Sequence, residues 1–135
     1  MLEIEPRKAI GYIRTSTIHQ GPGIITQKYL IEEMCNKLQC YDVKFYIDKA
    51  VSGWSDLSKR KSLNLALNSL NENDLFIVKN DSRISRCRGT YDKIIKIIND
   101  RGALLIKIES DDYSELFNIF KKHLLENGFT LDGKA

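Results

Sequence analysis

Leu75-Phe76-Ile77-Val78-Lys79-Asn80-Asp81-Ser82-Arg83-Ile84-Ser85-Arg86 is the stretch that decides how this chain folds. Its first four residues form an unbroken apolar run, closed abruptly by polar and charged side chains. A continuous apolar run of strand length is what a strand buried on both faces of a parallel sheet requires. Such a strand needs helices on either side of it in sequence, and both are there. Upstream, Leu63, Ala66, Leu67 and Leu70 recur at helical spacing. Downstream, Tyr91, Ile94, Ile95 and Ile98 do the same, and Arg101-Gly102 closes that helix.

Working outward, Ala9 to Ile13, Val43 to Ile47 and Ala103 to Ile108 read as three more strands. Ile24, Tyr29, Leu30, Ile31, Met34, Cys35 and Leu38 mark a helix, preceded by a Gly21-Pro22-Gly23 loop. Asp48 to Lys59 follows neither period and contains Ser52-Gly53, so it reads as a loop. Tyr113, Leu116, Phe117, Phe120 and Leu124 mark a last helix over Tyr113 to Glu126, ended by Asn127-Gly128. Strands separated by single helices imply right-handed crossovers. The expected class is α/β: an open, mainly parallel sheet of four to five strands flanked by helices.

The chain has 135 residues, enough for one domain with one sizeable core. Apolar residues make up 42% and charged residues 29%, the balance of a soluble globular protein. No apolar run is long enough to span a bilayer, and the N-terminus lacks a secretory signal, so a cytoplasmic protein with no membrane partner is expected. Cys35, Cys40 and Cys87 form no CxxC, which argues against structural zinc and a disulfide framework. Net charge is only +3, but Lys79, Arg83, Arg86 and Arg88 crowd into ten residues.

In open parallel sheets, ligands bind beyond the carboxyl ends of the strands. Three segments converge there: Arg14-Thr15-Ser16, Asp48 to Arg60, and Lys79 to Arg88. In an extended strand, Arg14 and Ser16 face the same way, placing a hydroxyl beside a cation that matches phosphate. Arg83 and Arg86, three apart, point to one side of a helix if one starts there. Several cations at a helix start oppose its macrodipole, so a bound anion accounts for them better than a solvated helix end. Neither GxGxxG nor GxxxxGK[ST] is present, which weakens a nucleotide-binding reading.

The ordered set of Tyr12-x-Arg14-x-Ser16, Gln27, Asp48, Ser52-Gly53, Arg60-x-x-Leu63 and Arg83-x-x-Arg86 resembles the serine recombinases, the resolvase/invertase family. The resemblance runs from about Lys8 to about Ser110. It implies a catalytic domain over residues 1–110 of a site-specific DNA recombinase. Ser16 is then the nucleophile on a DNA phosphodiester, giving a 5′-phosphoserine link that is later reversed by religation. Arg14, Arg60, Arg83 and Arg86 match the arginines around the scissile phosphate. Gln27, Asp48 and Ser52 match positions that shape the site and its loop. No metal or nucleotide cofactor is implied. The implied partners are DNA and further copies of the chain, as a dimer or tetramer.

Two departures from the family pattern stand out. The family usually carries Asp immediately before the first arginine of its last motif; here Ser82 stands there, with Asp81 one residue earlier. Ser82 cannot act as a carboxylate acid or base. Residues 111–135 read as a shortened terminal helix and tail, with neither a helix-turn-helix nor a zinc-ribbon cysteine set, so no DNA-binding domain is expected. The alternative is therefore a catalytically inactive, truncated resolvase-like protein that associates with full-length recombinases.

Overall fold

The computed structural model describes residues 8–16 and 21–109. The expected helix over Tyr113 to Glu126 and its Asn127-Gly128 end lie outside the described residues. Within them, the chain runs β1 (Ala9–Arg14), α1 (Gly21–Lys37), β2 (Val43–Asp48), a short 3-10 turn (Leu57–Lys59), α2 (Lys61–Asn68), β3 (Leu75–Val78), α3 (Asp81–Ile84), α4 (Arg88–Asp100) and β4 (Leu104–Lys107). The four strands form one sheet in the order β2-β1-β3-β4, and every neighbouring pair is parallel. The expected open parallel α/β sheet is what forms.

Period-two alternation sorts the sheet into two buried faces. Ala9, Ile13, Leu75, Ile77 and Ile106 pack against Ile31, Met34, Cys35 and Leu38 of α1 and its end. Ile10, Tyr12, Phe76 and Val78 pack against Leu63, Ala66 and Leu67 of α2 and Ile94 and Ile98 of α4. At Gly11, an added Cβ would lie 2.9 Å from Ile31 Cγ2 and from Phe45, so glycine is what lets α1 seat on the sheet. All four residues of Leu75–Val78 are buried, as the sequence run requires.

Two local expectations are corrected. Gly21-Pro22-Gly23 is not a loop but the first turn of α1. Proline fits there because the first amides of a helix have no intrahelical acceptor to lose. Arg83 and Arg86 do not share a helix face. The helix after β3 is one turn long, and Ser85 leaves it in extended geometry (φ −170°, ψ 150°). Ser85 Oγ then accepts from the Cys87 amide at 3.0 Å, and α4 starts afresh at Arg88. A single turn has no useful macrodipole, so α3 itself adds little to the positive potential that the arginine side chains make here.

Candidate active site

β1 ends in the register Arg14↔Asp48 against β2, whereas its pairing with β3 covers only Ala9–Gly11. Beyond that point the main chain of Arg14 has no strand partner on the β3 side. Gln27 of α1 fills the gap: its Oε1 accepts from Arg14 N at 3.3 Å and its Nε2 donates to Arg14 O at 3.1 Å. Arg83 Nη1 adds a second bond to that carbonyl at 2.9 Å. These contacts fix the chain two residues before Ser16, which is exposed in a bend just past the strand.

The Arg14 side chain itself is fully buried. Its Nη1 donates to Val51 O at 2.8 Å and its Nη2 to Ser82 O at 2.7 Å. It thus ties the loop after β2 to the segment after β3, at the foot of the Ser16 bend. Strand β1 ends at Arg14, so Ser16 is not held beside it by strand alternation, as first expected.

Arg60 is likewise fully buried. It donates to the carbonyls of Ile84 and Arg83, the latter at 2.6 Å, and to Tyr12 Oη at 3.0 Å. Asp48 places it there. The Asp48 carboxylate accepts from the amides of Ser62 (2.9 Å) and Leu63 (3.1 Å), capping α2 from the end of β2, and from Tyr12 Oη at 2.7 Å. Arg60 is the residue that precedes that capped helix. Burial pushes the Tyr12 hydroxyl well above its ordinary range; Arg60 opposes this and Asp48 reinforces it.

Arg83 is half-buried and Arg86 exposed. Arg86 lies over Gly53, whose carbonyl accepts from Arg86 N at 2.8 Å. A Cβ at Gly53 would sit 2.9 Å from both Arg14 Nη2 and Arg86 Cγ, so the loop can press onto both arginines only as glycine. Ser52 shapes that loop through its Oγ, which accepts from Trp54 N at 3.1 Å.

Neither residue around the expected carboxylate position bonds an arginine through its side chain, although Asp81 lines a cavity with Arg86. Asp81 pairs with Lys107 at 2.9 Å and accepts from Tyr91 Oη at 2.7 Å. Burial works to raise its carboxyl, but these bonds and the Lys107 charge outweigh it and lower it. Ser82 Oγ donates to Asn80 Oδ1 at 2.7 Å, and only its backbone carbonyl meets Arg14.

Four guanidinium groups therefore gather at one end of the sheet with little to neutralise them. Among the described residues, no ion pair involves Arg14, Arg60, Arg83 or Arg86. Burial, then the charges of Arg60 and Arg83, bring Arg14 down to about 10. Burial and the Arg86 charge also lower Arg83, with Glu109 opposing. The buried Nε atoms of Arg14, Arg60 and Arg83 have no acceptor. Tyr12 entered the sequence analysis only as the first residue of a motif, and Thr15 only as a neighbour of Ser16, neither with a task in the site. Tyr12 shares the Arg14 face by period two, which was the available signal. Thr15, whose Oγ1 and O hold the amides of Ala50 (3.2 Å) and Val51 (2.9 Å), had none.

An open parallel sheet with an exposed hydroxyl and a cluster of arginines at its carboxyl edge is an arrangement suited to holding an anion where such sheets bind ligands. The sequence profile of the family described as "Resolvase, N terminal domain" matches residues 9–124. The chain belongs to that family. Its fold is similar to the N-terminal catalytic domain of TP901-1 integrase (TM-score 0.66, 21% identity, 90% of this chain and 96% of that one). It is similar also to the C-terminal catalytic domain of ISC1926 TnpA, an IS607-like serine recombinase (0.65, 17%, 89% and 77%). A serine recombinase from Sulfolobus solfataricus gives 0.62 at 23% identity, over 91% and 89%. No curated protein matches.

Proposed function

We propose that this chain is the catalytic domain of a site-specific DNA recombinase in which Ser16 is the nucleophile. Ser16 Oγ attacks a DNA phosphorus as the P–O3′ bond breaks. The electron pair leaves on the 3′-oxygen, and the seryl proton is passed to it directly or through solvent. The product is a 5′-phosphoserine link and a free 3′-hydroxyl; after strand exchange between subunits, the 3′-hydroxyl of the other broken duplex attacks that link, forming the new phosphodiester and releasing Ser16, which takes back the proton. No phosphodiester energy is lost, so the cycle needs no nucleotide.

The observation that supports this most is the unneutralised arginine cluster around the segment that carries an exposed Ser16. Positive donors fixed in a dry site are worth most where negative charge grows in a transition state. Their roles divide by exposure. Arg83 and Arg86 are accessible and take the phosphate oxygens. Arg14 and Arg60 are buried and hold the loops that present them. Gln27, Asp48 and Ser52 are positioning residues; Asp81 and Ser82 contribute no carboxylate to the cluster.

The test is a covalent adduct. The chain, fused to a DNA-binding domain of known site, is incubated with a nicked duplex carrying that site. A serine-linked adduct that disappears in Ser16→Ala is expected. A folded protein that forms no adduct contradicts the proposal. If it also joins full-length recombinases in mixed dimers, the non-catalytic partner reading takes its place.

A further inference from the structure

The loop after β2 carries a feature that phosphate binding leaves unused. Trp54 is 68% exposed, although the loop that bears it is tied down on every side. The amides of Ala50 and Val51 bond to Thr15, the Val51 carbonyl to Arg14, and the Gly53 carbonyl to Arg86. Trp54 N and Ser55 N bond back to Ser52, at 3.1 Å each. Gly53 presses its backbone onto Arg14 and Arg86, and the next residue turns its indole to solvent. Among the described residues, that indole makes no ring contact, cation contact or hydrogen bond.

We infer that Trp54 is a stacking platform for a nucleobase of the same DNA strand whose phosphate meets Arg83 and Arg86. This rests on the recombinase reading above. One residue of chain spans about 3.8 Å, so the indole lies within a nucleotide's reach of the Gly53–Arg86 contact. Aromatic side chains beside a basic groove are the general means by which proteins take hold of bases without reading their edges. Charge favours nucleic acid over a protein occupant. An apolar protein surface seated on Trp54 would also strip water from Arg86 and give that cation no counter-charge. A nucleic acid brings its own phosphate. The stacked base anchors the nucleotide flanking the scissile phosphate, so Trp54 positions the strand and is not a catalytic residue.

Trp54 is the only tryptophan in the chain, so its emission reports on this position alone. The full chain is titrated at low salt with short mixed-sequence DNA, single-stranded and duplex, and separately with inorganic phosphate. Binding is followed in parallel by anisotropy of labelled DNA. Quenching of Trp54 emission by DNA, but not by phosphate at saturation, is expected. Trp54→Ala should weaken DNA binding about tenfold, with Trp54→Phe recovering part of the loss. Both variants should keep the wild-type far-UV spectrum, because the side chain is exposed. Anisotropy that reports Arg86-dependent DNA binding with unquenched emission and an unaffected Trp54→Ala would overturn this inference and leave the recombinase reading standing. Emission that follows protein concentration and ignores DNA would place Trp54 in a subunit contact and also overturn it. No DNA binding by anisotropy at all would overturn this inference too, and the adduct test on the fused chain then decides the recombinase reading separately.

Discussion

Asp48→Asn probes how the site is held. The carboxylate accepts three hydrogen bonds: Oδ2 from Tyr12 Oη and Leu63 N, Oδ1 from Ser62 N. Asparagine keeps the shape but has one acceptor oxygen. If that oxygen serves Tyr12 and Leu63, the side-chain NH2 faces the Ser62 amide, donor against donor. A polar group left unsatisfied in this setting costs about 1–3 kcal/mol. Losing a negative charge at the start of α2 adds about 0.3–1 kcal/mol. The expected total is about 2–3 kcal/mol, a sizeable part of the stability of a domain this size. Urea unfolding followed by far-UV circular dichroism measures it, with an unchanged slope showing that the native state is intact. Asp56→Asn is the control, since Asp56 is exposed and should move stability by less than about 0.5 kcal/mol. Equal stabilities for Asp48→Asn and wild type would refute the Asp48 cap on α2 and the placement of Arg60 that depends on it.

Asp81→Ala should slow adduct formation by less than about tenfold, whereas Arg83→Ala should cost about a hundredfold, the scale of losing one transition-state donor. Near-equal losses would mean that Asp81 has taken the place of the carboxylate Ser82 lacks. Inorganic phosphate at ten times its Kd should stabilise the chain by about 1.4 kcal/mol over chloride at matched ionic strength, and Arg86→Ala should abolish the gain in a thermal melt. Alkaline pH should destabilise the fold. Burial pushes Cys35 up to about 12 and Cys40 up to about 11, from 9.0. Above pH 9 the unfolded chain loses thiol protons that the folded chain keeps, so stability falls through the window up to those values. Arg14, at about 10, works the other way, because there the folded chain binds fewer protons. Unfolding titrations should show the fall between pH 9 and 10 and its flattening in Cys35→Ala.

The sheet was legible because each strand announces itself locally. Leu75–Val78 is apolar throughout and buried throughout. The segments of the candidate site were legible too: Arg14 to Ser16, Asp48 to Arg60 and Lys79 to Arg88 meet at the carboxyl edge. Their bonding was not. Arg14 reaches Val51 and Ser82, which are 37 and 68 residues away in sequence. Which acceptor an arginine takes depends on where distant carbonyls end up, and no periodicity records that. The single-turn α3 escaped for a related reason: Ser85 stops it by turning its hydroxyl on Gly53 and Cys87, a choice made by the loop opposite. Asp48 showed itself as a cap candidate, but the helix it caps starts thirteen residues later, at Lys61.

The most direct test of Ser16 as a phosphoserine-forming nucleophile is the polarity and location of a trapped adduct. A nicked duplex is labelled at either side of the break, the adduct is digested, and the modified peptide is sequenced by mass spectrometry. The expected result is a nucleotide joined through its 5′-phosphate to Ser16, with a free 3′-hydroxyl on the other fragment and no adduct in Ser16→Ala. A link through a 3′-phosphate, or an adduct that survives Ser16→Ala, would contradict it.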